Sequence, residues 1–278
     1  GGLTAAGRKK IFEFLLALII SYAVLLLFFY INQRNFIYVP DISTPSPAFF
    51  GVPEMEVISA QTDDGLTLRG WYKSPSKRNR PVILMFHGNA GHIGIRAFKA
   101  RPYLDSGYGF LLAEYRAYGG NSGTISEEGL YKDARAYIEF LVESGVTQED
   151  IILYGESLGT GVAVQMATEY PAVRAVMLEA PYTALWRVAQ KHMFLLPVGM
   201  VMKDRFESIK KINSVTAPVL IFNGTLDNIV PPVMGQKLYS AANNPKTMET
   251  FPLAGHNDLY MHGAAGAALK FLEYLDRT

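Results

Sequence analysis

The chain has 278 residues, 49% hydrophobic and only 18% charged, against roughly 25% charged in an average soluble domain, which excludes a disordered polyelectrolyte. Its 26 basic and 25 acidic residues leave a formal net charge of +1, and no run of five or more basic residues occurs, so there is no field to gather nucleic acid. Cysteine is absent, which excludes disulfides, cysteine-ligated zinc, iron–sulfur clusters and a thiolate nucleophile.

The apolar excess is concentrated near the start. Phe14 to Gln33 is a twenty-residue stretch without charge, mostly Leu, Ile, Val, Phe and Tyr, between Glu13 and Arg34. At about 1.5 Å per residue such a helix spans roughly 30 Å, the thickness of a bilayer's hydrocarbon core. The run is too long for the apolar part of a signal peptide. It ends in Tyr30-Ile31-Asn32-Gln33-Arg34-Asn35, with no Ala-x-Ala cleavage pattern. Residues 1–35 are therefore expected to form an uncleaved membrane anchor, single-pass or monotopic, with the lipid bilayer as partner. Arg8, Lys9 and Lys10 precede the run and only Arg34 lies close behind it. That bias predicts a cytoplasmic N-terminus and an extracytoplasmic remainder. Pro40, Pro45, Pro47 and Pro53 follow, so residues 36–53 read as a stiff, extended tether that keeps residues 54–278 close to the lipid.

The remainder alternates. Glu54 to Ser59 and Leu66 to Lys73 flank the turn Asp63-Asp64-Gly65 and read as a hairpin. Val82 to Phe86, Phe110 to Tyr115, Ile151 to Tyr154 and Arg174 to Leu178 are continuous apolar runs, as parallel strands covered on both faces require. Val219 to Phe222 and Thr247 to Phe251 add two more. Between them, Glu127 to Glu143 carries Leu130, Ala134, Tyr137, Ile138 and Leu141 at helical spacing. Eight strands with helices from the third onward predict one doubly wound α/β domain. Residues 182–215 break the alternation and hold Met193-Phe194-Leu195-Leu196-Pro197-Val198-Gly199-Met200-Val201-Met202. A long, adaptable apolar insertion predicts a lid, with Met193, Phe194, Leu195 and Met200 lining a substrate pocket.

The chemistry centres on Gly155-Glu156-Ser157-Leu158-Gly159. It matches Gly-x-Ser-x-Gly between a strand and the helical run Thr160 to Tyr170, the context in which a serine is held on a strained turn with its hydroxyl free. Serine needs a base. Of five histidines, His256 lies in a loop after the last strand, where α/β sheets hold reactive groups. His87 and His92 flank a glycine-bearing loop, His192 falls in the insertion, and His262 falls in the C-terminal helical segment. The orienting carboxylate is expected from Asp227, at the end of another strand, with Glu179 as rival; Asp258 is too near His256 in sequence. An oxyanion needs two donors. Leu158 N–H is the first; Asn89 N–H, in His87-Gly88-Asn89-Ala90-Gly91, is the second, with Ala90 the runner-up. His87 then reads as holding that loop. No metal or organic cofactor is implied.

Taken together, the His87 to Gly91 loop, Tyr115-Arg116-Ala117-Tyr118-Gly119, the Gly155 to Gly159 elbow, the Asp227 loop and Gly255-His256 resemble the α/β-hydrolase superfamily. The combination, with Gln33-Arg34-Asn35-Phe36-Ile37-Tyr38-Val39-Pro40, is similar to its membrane-anchored Bem-like branch, related to protein depalmitoylases. Glu114 and Ala117 depart from that branch's Asp-Tyr-Arg-Gly-Tyr-Gly pattern, and Asn223 replaces a common histidine. The resemblance implies an α/β-hydrolase fold with an eight-stranded, mostly parallel sheet. It also implies a serine hydrolase acting on acyl esters or thioesters, either acyl-chain-containing small molecules or acylated proteins. An acyltransferase using the same three residues, and an inactive hydrolase-fold scaffold at the membrane, are the alternatives.

Overall fold

The computed structural model describes residues 4–277, so residues 1–3 of the expected anchor and Thr278 lie outside the described residues. Helix α1 (Ala5–Ile37) starts where the Thr4 hydroxyl accepts from Gly7 N–H and is long and apolar enough to cross a membrane. Residues 8 to 25 are exposed, and the helix is apolar on every side, a pattern that water does not tolerate and lipid does.

The strands and helices then follow in the expected alternation. They are β1 (Val39–Pro40), β2 (Glu56–Gln61), β3 (Thr67–Lys73), β4 (Val82–Phe86), β5 (Ala90–Gly91), α2 (Ala97–Asp105), β6 (Gly109–Ala113), α3 (Glu127–Glu143) and β7 (Ile151–Glu156). After them come α4 (Leu158–Glu169), β8 (Ala175–Glu179), α5 (Leu185–His192), α6 (Val198–Val201), β9 (Val219–Gly224), α7 (Pro232–Ala241), β10 (Lys246–Phe251) and α8 (Ala264–Leu275). The main sheet has eight strands in the order β10-β9-β8-β7-β4-β6-β3-β2. Only β2–β3 and β3–β6 are antiparallel; the other pairs are parallel.

The central strands are mostly apolar because both faces are covered. Along β4, Val82, Leu84 and Phe86 pack with Leu130 and Ile138 of α3 and Val162 of α4 on one face. Ile83 and Met85 pack with Ala97 and Tyr103 of α2 and Phe271 of α8 on the other. Helix α3 begins at Ser126, whose hydroxyl accepts from Gly129 N–H, and it buries the five predicted apolar positions. Strand ends differ from the sequence reading by one or two residues. One of the two-residue shifts is in β6, which stops at Ala113 because Tyr115 to Tyr118 closes a turn.

The region read as a tether begins in the last turn of α1 and folds into turns at 47–51, so it does not span a gap. Residues 39–40 pair in parallel with 90–91 to form a small second sheet. Tyr38, Val52 and Met55 are buried, and Phe50 packs beside Trp71. The chain is thus laid onto the body as soon as it leaves α1.

Candidate active site

Ser157 occupies the turn between β7 and α4 with φ 49° and ψ −111°, a left-handed conformation that a side chain adopts only when its surroundings impose it. The two glycines of the pentapeptide make that turn possible. A Cβ at Gly159 would run into the Phe86 carbonyl, and one at Gly155 would strike the Gly159–Thr160 backbone. The turn is fastened by Ser157 N–H donating to the Glu179 carbonyl at 2.9 Å.

Two further strand ends converge on this serine. His256 Nε2 lies 2.9 Å from Ser157 Oγ, and His256 Nδ1 lies 2.7 Å from Asp227 Oδ2. The other Asp227 oxygen accepts from Ile229 and Val230 N–H, both at 2.9 Å, so the carboxylate is fixed in orientation. Gly224, at the end of β9, permits this meeting: a Cβ there would collide with the Ala254 and Gly255 carbonyls of the histidine loop. The rival carboxylates are engaged elsewhere. Glu179 bonds Lys99 Nζ and the Tyr154 hydroxyl, and Asp258 accepts from Gly255 N–H.

The loop after β4 faces the same point. The Asn89 carbonyl accepts from Val39 N–H at 2.9 Å and from the Tyr118 hydroxyl at 2.6 Å, while its side-chain amide donates to the Ile37 carbonyl at 2.8 Å. The backbone N–H groups of Asn89 and Leu158 take no partner among the described residues, and both residues line the cavity beside Ser157. His87 is buried under this loop, its ring nitrogens 2.9 Å from Glu114 Oε1 and 2.8 Å from the Gly88 carbonyl, with Tyr115 stacked on it. Glu114 Oε2 also accepts from Ile93 N–H, so the glutamate that departs from the family pattern holds two segments of the loop. Ala117, the other departure, stands at φ 65°, a conformation that glycine adopts at no steric cost.

Glu156, the variable residue of the pentapeptide, joins the elbow to that loop. Its carboxylate accepts from Gly88 N–H at 3.2 Å, Arg96 Nη2 at 3.0 Å and Lys99 Nζ at 2.5 Å. Burial alone would push this carboxyl up, but the Lys99 and Arg96 charges outweigh it and hold Glu156 well below the ordinary carboxylate range.

A cavity of about 420 Å³ opens over Ser157 and His256, within the size range of small-molecule sites. Its walls are mostly apolar: Leu185, Val188 and Ala189 of α5, Leu196, Val198 and Met202 beyond it, and Val230. Of the four residues expected to line it, only Met193 does. Phe194, Leu195 and Met200 are 78%, 72% and 86% exposed on the outer side of the insertion. The reason is geometric. The insertion folds into two short helices and the turn between them, with Leu196, Val198 and Met202 turned inward and Phe194, Leu195 and Met200 left outside. Sequence reasoning missed a more distant contribution: Leu26, Phe29, Gln33, Phe36 and Ile37 of α1 also line the cavity. Their spacing is helical, but within a run that is apolar all round no stripe stands out.

Residues 81–208 match the family model described as the alpha/beta hydrolase fold. An uncharacterised protein of Mycobacterium tuberculosis is 39% identical over 235 residues, covering 84% of this chain and 83% of that one. Protein bem46 of Schizosaccharomyces pombe is 31% identical over 230 residues, covering 78% and 75%. Among solved structures, the Pyrococcus furiosus esterase Pf2001 superposes with a TM-score of 0.68 at 18% identity, covering 85% of this chain and 98% of that one. The chain belongs to the α/β-hydrolase superfamily and, within it, to the Bem-like branch.

Proposed function

We propose that this protein is a membrane-anchored serine hydrolase that cleaves acyl esters or thioesters. The observation that carries this reading is the unbroken hydrogen-bonded chain from Ser157 through His256 to Asp227, at the floor of an apolar cavity. With Nδ1–H donating to Asp227, His256 Nε2 is the acceptor for the Ser157 proton. Ser157 Oγ attacks the acyl carbonyl, His256 takes its proton, and the Leu158 and Asn89 N–H groups stabilise the oxyanion. His256 then delivers the proton to the leaving alcohol or thiol. Water, activated by the same imidazole, releases the acid and frees the serine. Asp227 orients the ring and stabilises its charged form.

Helix α1 anchors the chain. The excess of Arg8, Lys9 and Lys10 over Arg34, which is itself paired with Asp204 at 2.8 Å, supports a cytoplasmic N-terminus and an extracytoplasmic catalytic body. Protease protection in sealed vesicles checks the side. The apolar lining favours acyl chains over peptides or sugars as the recognised group.

The test uses the full chain in lipid nanodiscs. A fluorophosphonate probe labels the unaltered protein and does not label Ser157→Ala, and turnover of p-nitrophenyl esters or acyl thioesters falls by roughly a millionfold in that variant. Asp227→Asn lowers turnover about ten-thousandfold. Undiminished labelling of Ser157→Ala overturns the assignment.

A further inference from the structure

Helix α1 does more than carry an anchor's apolar surface. Leu26, Phe29, Gln33 and Ile37 fall on one face at intervals of three and four, with Phe36 beside them, and all five line the cavity that holds Ser157 and His256. Leu26, Phe29 and Ile37 pack against Leu196, Val198 and Met202 of the insertion. Polar contacts fasten the two together along their length. The Tyr22 hydroxyl donates to the Leu195 carbonyl at 2.9 Å, Gln33 Nε2 donates to the Val201 carbonyl at 3.2 Å, and Gln33 Oε1 accepts from Lys203 N–H at 2.7 Å.

The level of these contacts matters. Tyr22 lies eleven residues before Gln33, about 16 Å along the helix axis, and both belong to the uncharged stretch that ends at Gln33. The tip of the insertion therefore reaches the stretch of α1 that is apolar enough to sit in hydrocarbon. The residues it turns outward at that level, Phe194, Leu195 and Met200, are apolar. Such side chains are costly in water and unremarkable in lipid.

We propose that α1 is a specificity-determining wall of the acyl site. A long acyl chain lies between α1 and the insertion, against Leu26, Phe29 and Phe36, and reaches Ser157 from the bilayer without crossing water. This rests on the serine hydrolase reading above. The length of chain accepted is then set partly by the membrane helix, and the recognised chemistry is the acyl chain, whether it arrives on a lipid or on an acylated protein.

The experiment uses the full chain in phosphatidylcholine nanodiscs and compares kcat/KM for butyryl and palmitoyl p-nitrophenyl esters. Leu26→Trp shortens the space against α1. Each methylene excluded costs about fourfold, so palmitoyl turnover drops by about tenfold or more while butyryl turnover stays within about twofold. Phe29→Ala enlarges the same wall and shifts preference toward longer chains, which keeps the idea testable if the tryptophan variant fails to fold. Leu27→Trp and Ile31→Trp, on exposed positions outside the cavity, leave the ratio unchanged. The Leu26→Trp loss is repeated with whichever carrier the chain cleaves, a phosphatidylcholine of the disc or an S-palmitoyl peptide. A palmitoyl-to-butyryl ratio unmoved by both Leu26→Trp and Phe29→Ala, with the protein still labelled by fluorophosphonate, overturns the role of α1 and leaves the hydrolase reading intact. Failure of the unaltered, folded chain to cleave any ester overturns the hydrolase reading itself.

Discussion

Lys99 shows how much of this site escapes inspection residue by residue. It is buried between Glu156 and Glu179, 2.5 Å and 2.9 Å from their carboxylates, and the fields of both glutamates raise its pKa against the effect of burial. Lysine is almost never fully buried unless paired, and neither partner is near it in sequence. Nothing in Ala97-Phe98-Lys99-Ala100 distinguishes it from a solvated helix position. Ser157, Asp227 and His256 were legible for the opposite reason: each follows a strand, and the fold gathers strand ends at one edge of the sheet. Replacing Lys99 by Met leaves two buried carboxylates facing each other beneath the elbow. The expected cost is about 3–5 kcal/mol, read as a lower denaturation midpoint. A midpoint equal to that of the unaltered protein would show that the two glutamates do not depend on this lysine.

Among the elements, those of the α/β body could be read because their periodicity carries information. The apolar runs of β4, β7 and β8 have two covered faces, and α3 has one. Helix α1 and the insertion could not be read this way, since a surface meant for lipid and a surface meant for a partner helix are equally apolar. What joins them is Asp204, which accepts from Arg34 Nε at 2.8 Å, Arg34 Nη2 at 3.0 Å, the Tyr38 hydroxyl at 3.0 Å and Glu127 N–H at 3.1 Å. One carboxylate thus ties the end of α1, the insertion and the start of α3. Hydrogen bonds to a charged group contribute about 1.5–3 kcal/mol each, so Asp204→Asn is expected to loosen this junction without unfolding the sheet. Hydrogen exchange should then quicken at the end of α1 and across α6 while β4 and β7 stay protected. Uniform exchange across the molecule, or none faster than before, would contradict that division.

For the molecule as a whole, three of the carboxylates whose pKa folding shifts illustrate the response to pH. Glu156 lies well below its ordinary 4.5 because Lys99 and Arg96 outweigh burial, and hydrogen bonds from Arg116 and Thr62 hold Asp64 well below its ordinary 3.8. Groups depressed by folding stabilise above those ordinary values and cease to do so as pH falls through the folded ones. Burial pushes Asp133 the other way, from 3.8 to about 6 despite its bonds from Arg116, so its contribution is full below 3.8 and lost as pH rises through about 6. Stability should be level from about pH 6 through neutrality, gain toward about pH 4.5, and fall steeply in stronger acid. Thermal midpoints in nanodiscs follow this profile, and Glu156→Gln blunts its acid limb; an acid limb unchanged by that substitution would remove Glu156 from the account.

The short ladder between 39–40 and 90–91 carries a last implication. The strand that follows α1 is hydrogen-bonded to Asn89, the residue proposed to offer an oxyanion donor. Trimming the polypeptide at residue 54 to obtain a water-soluble fragment would strip away that strand and the cavity-facing side of α1 in one cut. What survived would keep the loop's bonds to Tyr118 and Glu156 but lose those to Val39 and Ile37, and its cavity would lack one wall. Measurements on such a fragment would describe an altered cavity rather than the one the full chain forms.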